Sequence, residues 1–156
     1  MTSQSACARL IERYVAASGL RFVRGEHECE YFGATGTRRG RLHVHLEMSP
    51  SFDDVFTIQV TPAGFFSVAD GVWLTNFADT WNHQNRGVTA LVHVWSDPPR
   101  IGISARRSRW VPDGLSFDEF ASFADGSIAD AIEFFAELAP VTESPSVTRR
   151  LLRDAR

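Results

Sequence analysis

VWLTNFADTWNHQNRGVTALVHVW, residues 72–95, is the stretch on which the fold turns. In its first half Trp73, Leu74, Phe77, Ala78 and Trp81 recur at helical spacing and form one apolar stripe. Asn82, Asn85 and Gly87 close that helix, with Gly87 suited to a left-handed cap. Residues 89–95 then read as a strand in which nearly every residue is apolar. A helix joined this closely to a strand implies a sheet with helices packed on it.

Working outward from this stretch, the upstream chain supplies strands. Leu42, Val44, Leu46 and Met48 alternate with Arg41, His43, His45 and Glu47, the period of a half-buried strand. Residues 21–33 alternate as well, with Glu26, Glu28 and Glu30 on one face and Val23, Cys29 and Tyr31 on the other. The Gly- and Arg-rich segment 34–40 is read as the turn between the two. After a turn at Pro50, Phe56, Ile58 and Val60 mark a third strand. Before all of these, Ser3 or Ser5 can cap a helix striped by Cys7, Leu10, Ile11, Tyr14, Val15 and Ser18, which Gly19 ends.

Downstream, Ile101, Ile103 and Ala105 face one way on a fifth strand, and Arg100, Ser104 and Arg106 the other. Ser116 and Glu119 have the spacing of a capping box. The helix they open carries Phe120, Phe123, Ala124, Ile128, Ala131, Ile132, Phe135 and Leu138 along one stripe. Residues 1–140 thus make one domain, and 141–156 form a short basic tail beyond Pro140. The element order is α-β-β-β-α-β-β-α. It implies an α+β two-layer sandwich whose antiparallel five-stranded sheet is covered by the N- and C-terminal helices.

With 156 residues, 44 % hydrophobic and 22 % charged, the chain has the composition of a single globular domain. A formal net charge of −3 argues against a general nucleic-acid binder. All basic residues are Arg and none is Lys, which reads as codon bias in a GC-rich genome. Two cysteines, Cys7 and Cys29, are too few for a disulfide scaffold. There is no signal-peptide pattern and no apolar run near the ~20 residues that span a bilayer. A cytoplasmic location without membrane attachment is expected.

The element order, TNFADTWNHQNRG and the strand pair after it, and the GLSFDEF opening of the last helix resemble the YbjN family, whose fold is that of the type III secretion chaperones. The resemblance extends over roughly residues 10–138, and its most specific parts are Trp81-Asn82 and Gly114-Leu115-Ser116. It implies a dimer-forming α+β module that binds peptide segments of client proteins, without cofactor or known chemistry. Actinobacterial members are described as peptide-binding chaperones or regulators.

Placing Leu42, Val44, Leu46, Phe56, Ile58, Val60, Val92, Val94, Ile101 and Ile103 on a core face leaves His43, His45, Thr57, Gln59, Leu91, His93 and Trp95 opposite. That second face is polar at the first hairpin and apolar at residues 89–95, and such apolar patches mark interfaces. Trp73, Phe77, Trp81, Leu91 and Trp95 are therefore the expected binding residues, for a second copy or for a client peptide. Peptide capture would proceed by addition to a sheet edge or by docking of a helix.

Glu28, His43 and His45 are the alternative, since two His and a carboxylate can hold zinc. Charge pairing on a solvated strand accounts for the same pattern and is preferred, so no metal or cofactor is expected. His83 needs only the helix dipole as its explanation, and no catalytic partner for it is evident. No phosphate loop, nucleophile elbow or paired-cysteine motif is present, so the chain is not read as an enzyme. A nucleic-acid-binding regulator would use Arg106, Arg107 and Arg109 beside Trp110, with Arg149, Arg150, Arg153 and Arg156. Alternation splits the first cluster between two faces, which favours a solvated edge strand guarded by charge.

Overall fold

The computed structural model describes residues 4–38 and 40–142. Helix α1 (Ala6–Ala17) opens on Ser5, whose Oγ accepts the Ala8 N–H at 3.1 Å. Strands β1 (Val23–Arg24), β2 (Glu30–Thr37), β3 (Gly40–Met48) and β4 (Val55–Pro62) follow. A 3-10 turn, Val68–Asp70, leads into α2 (Gly71–His83). The chain then makes β5 (Thr89–Ser96), β6 (Pro99–Trp110) and α3 (Phe117–Thr142). No helix among the described residues is long and apolar enough to cross a membrane.

The fold is α+β, as the element order implies, but the sheet has six strands, in the order β1-β2-β3-β4-β6-β5, every neighbouring pair antiparallel. The extra strand arises because residues 21–33 do not run straight. Cys29 adopts φ +56°, and the chain folds back so that β1 pairs with β2. The β2–β3 turn is correspondingly tighter than expected, with Thr37 paired to Gly40. Strand β6 is long enough to be shared: β4 pairs with its second half from Ala105 onward, and β5 with its first half up to Arg106. In strand order it is therefore interior, although from Arg107 to Trp110 only β4 is paired to it.

All three helices lie on one face of the sheet. Helix α1 packs against β3, α3 against β4 and β6, and α2 against β5, so the central helix shares the cover with the two terminal ones. Phe56, Ile58, Val60, Val44, Leu46 and Ile103 are fully buried beneath them. Phe134 is 0 % exposed and sits where α2 meets α3, 5.0 Å from the Trp81 ring and 5.5 Å from Phe77 between centroids. The apolar stripe expected along α3 named Phe135 and missed Phe134. Capping of α3 is as expected on one side, with Ser116 Oγ accepting the Glu119 N–H at 3.1 Å. The helix continues past Pro140 to Thr142, and the basic tail lies outside the described residues.

Arg86 latches the end of α2 to α3. Its guanidinium lies 4.0 Å above the Trp81 ring and donates to Glu133 and, at 2.7 Å, to both carboxylate oxygens of Glu137. Next to it Gly87 has φ +91°, and a Cβ there would run into the Asp130 carboxylate. The Arg86 hydrogen bonds hold the Glu137 carboxyl below the usual carboxylate value, against a smaller opposing effect of burial. A carboxylate depressed in the folded state stabilises it above the ordinary range, and that contribution is lost as pH falls through the folded value. In melting experiments Glu137→Gln is expected to narrow the gap between neutral pH and about pH 3. The change is small because the side chain is 43 % exposed and solvent screens the pair.

Candidate interaction edge

Strand β5, TALVHVWS, carries no formal charge and forms one outer edge of the sheet. The other edge, β1, is only two residues long. Which backbone groups β5 turns outward follows from two sets of hydrogen bonds. Asn82 uses its amide as a piece of strand: Oδ1 accepts the Ala90 N–H at 2.7 Å and Nδ2 donates to the Ala90 carbonyl at 2.9 Å. On the far side of β6, the Ile101 N–H and carbonyl bond to Phe66 at 2.9 and 2.7 Å, so they point away from β5. Ile101 is the register partner of Val94, and Ala90 that of Ala105.

Both observations require the even-numbered residues of β5 to present N–H and C=O to the outside, because these groups alternate along an antiparallel strand. Asn82 covers Ala90. From Val92 to Ser96, no strand among the described residues lies beyond the outward groups. The flanks of this edge are apolar: Val94 is 71 % and Trp95 40 % exposed. Trp95 lies over Gly102, where any Cβ would collide with the indole, and meets Phe65 edge-on at 5.3 Å. Arg100 stacks on Phe65 at 4.2 Å and reaches Trp95 at 5.4 Å.

The five residues expected to bind a partner are not brought to one surface. Trp81 is buried in the core at 2 % exposure, with its indole N–H donating to the Val88 carbonyl at 2.9 Å. Phe77 packs on Phe134, and Trp73 on Phe66 with its N–H toward Asp70. These three belong to the helix layer, whereas Leu91 and Trp95 lie on the open face at the edge. Val94, assigned from its alternation to the core, lies past the reach of the helices. The outward backbone of β5 was not foreseen, although the absence of Lys, Arg, Asp, Glu and Pro from residues 89–96 was a readable signal.

A second cluster lies at the opposite end of the open face. Glu30 of β2 and the histidines of β3 do share that face, but Glu28 is an exposed turn residue and the convergent set is Glu30, His45 and Glu47. The expectation of Glu28 with His43 and His45 is corrected for one reason. The bend at Cys29 removes Glu28 from the strand and brings Glu30 into register opposite Glu47. Glu30 is 7 % exposed, and its carboxyl is held below the usual value by the His45 hydrogen bond first and then by the His27 N–H, burial acting in the opposite sense.

Of the basic residues, Arg106 lies on the open face while Arg107 and Arg109 stack on Phe123 of α3, at 4.7 and 5.5 Å. They do not make one patch.

No protein-family profile matches the chain, and no curated protein matches it. Among solved structures, YbjN of E. coli, described there as a candidate transcription regulator, superposes with a TM-score of 0.68. The match covers 86 % of this chain and 92 % of that one. The fold is that of YbjN. Identity to YbjN is 12 %, so the likeness lies in architecture rather than in shared side chains. An uncharacterized protein from Methanothermobacter thermautotrophicus has a similar form, with a TM-score of 0.52, 14 % identity, and 86 % and 97 % of the two chains covered.

Proposed function

We propose that this YbjN-fold domain is a non-enzymatic peptide-binding module of chaperone or regulator type, which takes an extended segment of a partner protein as an additional strand along β5. The observation that carries this reading is the outward backbone of Val92, Val94 and Ser96 on an uncharged, apolar-flanked edge. Proteins ordinarily blunt such an edge with charge, proline or a covering element. Strand addition takes its affinity from main-chain hydrogen bonds and its selectivity from alternate side chains. A segment rich in β-branched and aromatic residues would meet Leu91 and Trp95 on one face and Val92 and Val94 on the other.

A second copy is a partner of the same chemistry. Antiparallel pairing of β5 with its own symmetry mate, Val94 on the two-fold axis, matches outward groups to outward groups and gives a homodimer with one continuous sheet. Such a dimer would compete with peptides for the same edge.

Short random peptides selected on the immobilised chain provide the test. Val94→Pro removes one outward donor, and proline is tolerated on an edge where its missing N–H faces solvent. Selected peptides are expected to bind this variant at least about tenfold more weakly, since one buried hydrogen bond and its strand contacts are lost. N-methylation at alternate peptide residues should have the same effect without altering the protein. Peptides indifferent to both changes, or selection that enriches none, would overturn the reading. Light scattering on the wild type and Val94→Pro reports whether the edge also joins two copies.

A further inference from the structure

We propose that Glu30, His45 and Glu47 form a binding site for a divalent transition metal of the zinc type, with its remaining coordination open to solvent. The three residues project from one face of the β2–β3 hairpin, Glu30 directly opposite Glu47 and His45 two residues before it. Nε2 of His45 lies 3.0 Å from Oε2 of Glu30 and 3.7 Å from Oε2 of Glu47, and all three ligand atoms fall within 4.8 Å of one another. Ligands about 2.0–2.2 Å from a tetrahedral zinc stand roughly 3.3–3.6 Å apart. The two measured separations bracket that spacing.

Proton counting points the same way. Nε2 can offer one hydrogen, which serves one carboxylate, whereas a cation between the groups serves both. Two carboxylates bring two negative charges, and an imidazolium would cancel one. A metal with the imidazole as neutral ligand cancels both.

The donors are also held in place before any metal arrives. Oε1 of Glu30 accepts the N–H groups of Glu26 at 3.1 Å and His27 at 3.4 Å, which leaves Oε2 aimed at the cluster. Gly25 makes room for that carboxylate, since a Cβ there would overlap it. Phe32 stacks on the His45 ring at 4.6 Å and 22°, fixing its plane. Outer contacts of this kind orient ligands at metal sites. Access comes from the open face: the His45 and Glu47 side chains are each 25 % exposed. A depression of about 270 Å³ beside them, lined by Phe32, His43, His45, Gln59 and Thr61, gives space for a bound water or a further ligand. This site is independent of the β5 edge.

Metal-stripped full-length protein titrated calorimetrically with zinc chloride tests the assignment, alongside Glu47→Gln and His45→Gln, which leave the Glu30 turn contacts intact. One equivalent is expected, with affinity reduced in both variants by at least about a hundredfold, the upper end of what losing even an outer-shell partner costs. Circular dichroism establishes that the variants fold. Nitrogen NMR of the wild type should show zinc shifting Nε2 of His45 but not the ring nitrogens of His93. Absence of zinc uptake, affinity unchanged in the variants, or an unmoved His45 resonance would overturn the proposal and leave the three side chains as a hydrogen-bonded cluster of the open face.

Discussion

Phe134→Ala is expected to destabilise the fold by about 3–5 kcal/mol, the range for removing a fully buried aromatic ring. In urea this should be read as a lower midpoint with an unchanged slope. Phe134 is wholly inaccessible and packs on Phe77, Trp81 and Phe135 within 5.0 to 5.5 Å. Its removal would open a void where α2 meets α3. The helix layer cannot collapse freely into that space, because α2 is tied to the sheet by Asn82 and to α3 through Arg86. A loss below about 1 kcal/mol would mean that the junction repacks, contrary to a core in which cavities persist.

Trp81→Ala should have an effect of similar size, about 3–5 kcal/mol, for two added reasons. The indole N–H satisfies the carbonyl of buried Val88, and an unpaired buried acceptor is itself costly. The ring also carries the Arg86 guanidinium on its outer face. Because Trp81 and Phe134 touch, the double variant should lose less than the two single losses added together, and a thermodynamic cycle would measure the coupling. Strict additivity would show that the rings are energetically separate. Neither substitution touches the outward backbone of β5, so residual folded protein should keep its peptide affinity.

Strands with clean alternation were legible from residue types alone. In β3, Leu42, Val44 and Leu46 face the helices as their period requires, and the same holds for Phe56, Ile58 and Val60 in β4 and for Ile101 and Ile103 in β6. Residues 21–33 misled for a physical reason. Glu26, Glu28 and Glu30 mimic strand alternation, yet Glu30 uses its carboxylate to accept backbone N–H groups of the residues before it, which makes a turn. A side chain that binds its own backbone competes with the ladder, and hydropathy does not register it.

The aromatic residues of α2 misled differently. Large rings at helical spacing signal a face to be covered, but they do not say by what, and here α3 and Phe66 cover them from within the chain. Direction of the β5 backbone was beyond hydropathy as well, since side-chain pattern specifies faces and not edges. Asn82 held the clue, but its meaning depends on reaching Ala90 across the turn.

The sharing of β6 has a consequence for how the chain assembles. The β2–β3–β4 meander closes through short turns, as does the β5–β6 hairpin, so each can form from neighbouring residues. Joining them requires Val60 to find Ala105 and Val55 to find Trp110, with all of α2 and β5 looped out between. Contacts this distant in sequence govern the rate of assembly. During synthesis from the N-terminus, β4 must wait with one edge bare until Trp110 has left the ribosome. For that interval the newborn chain carries an open strand edge on β4 as well as the one it later presents on β5.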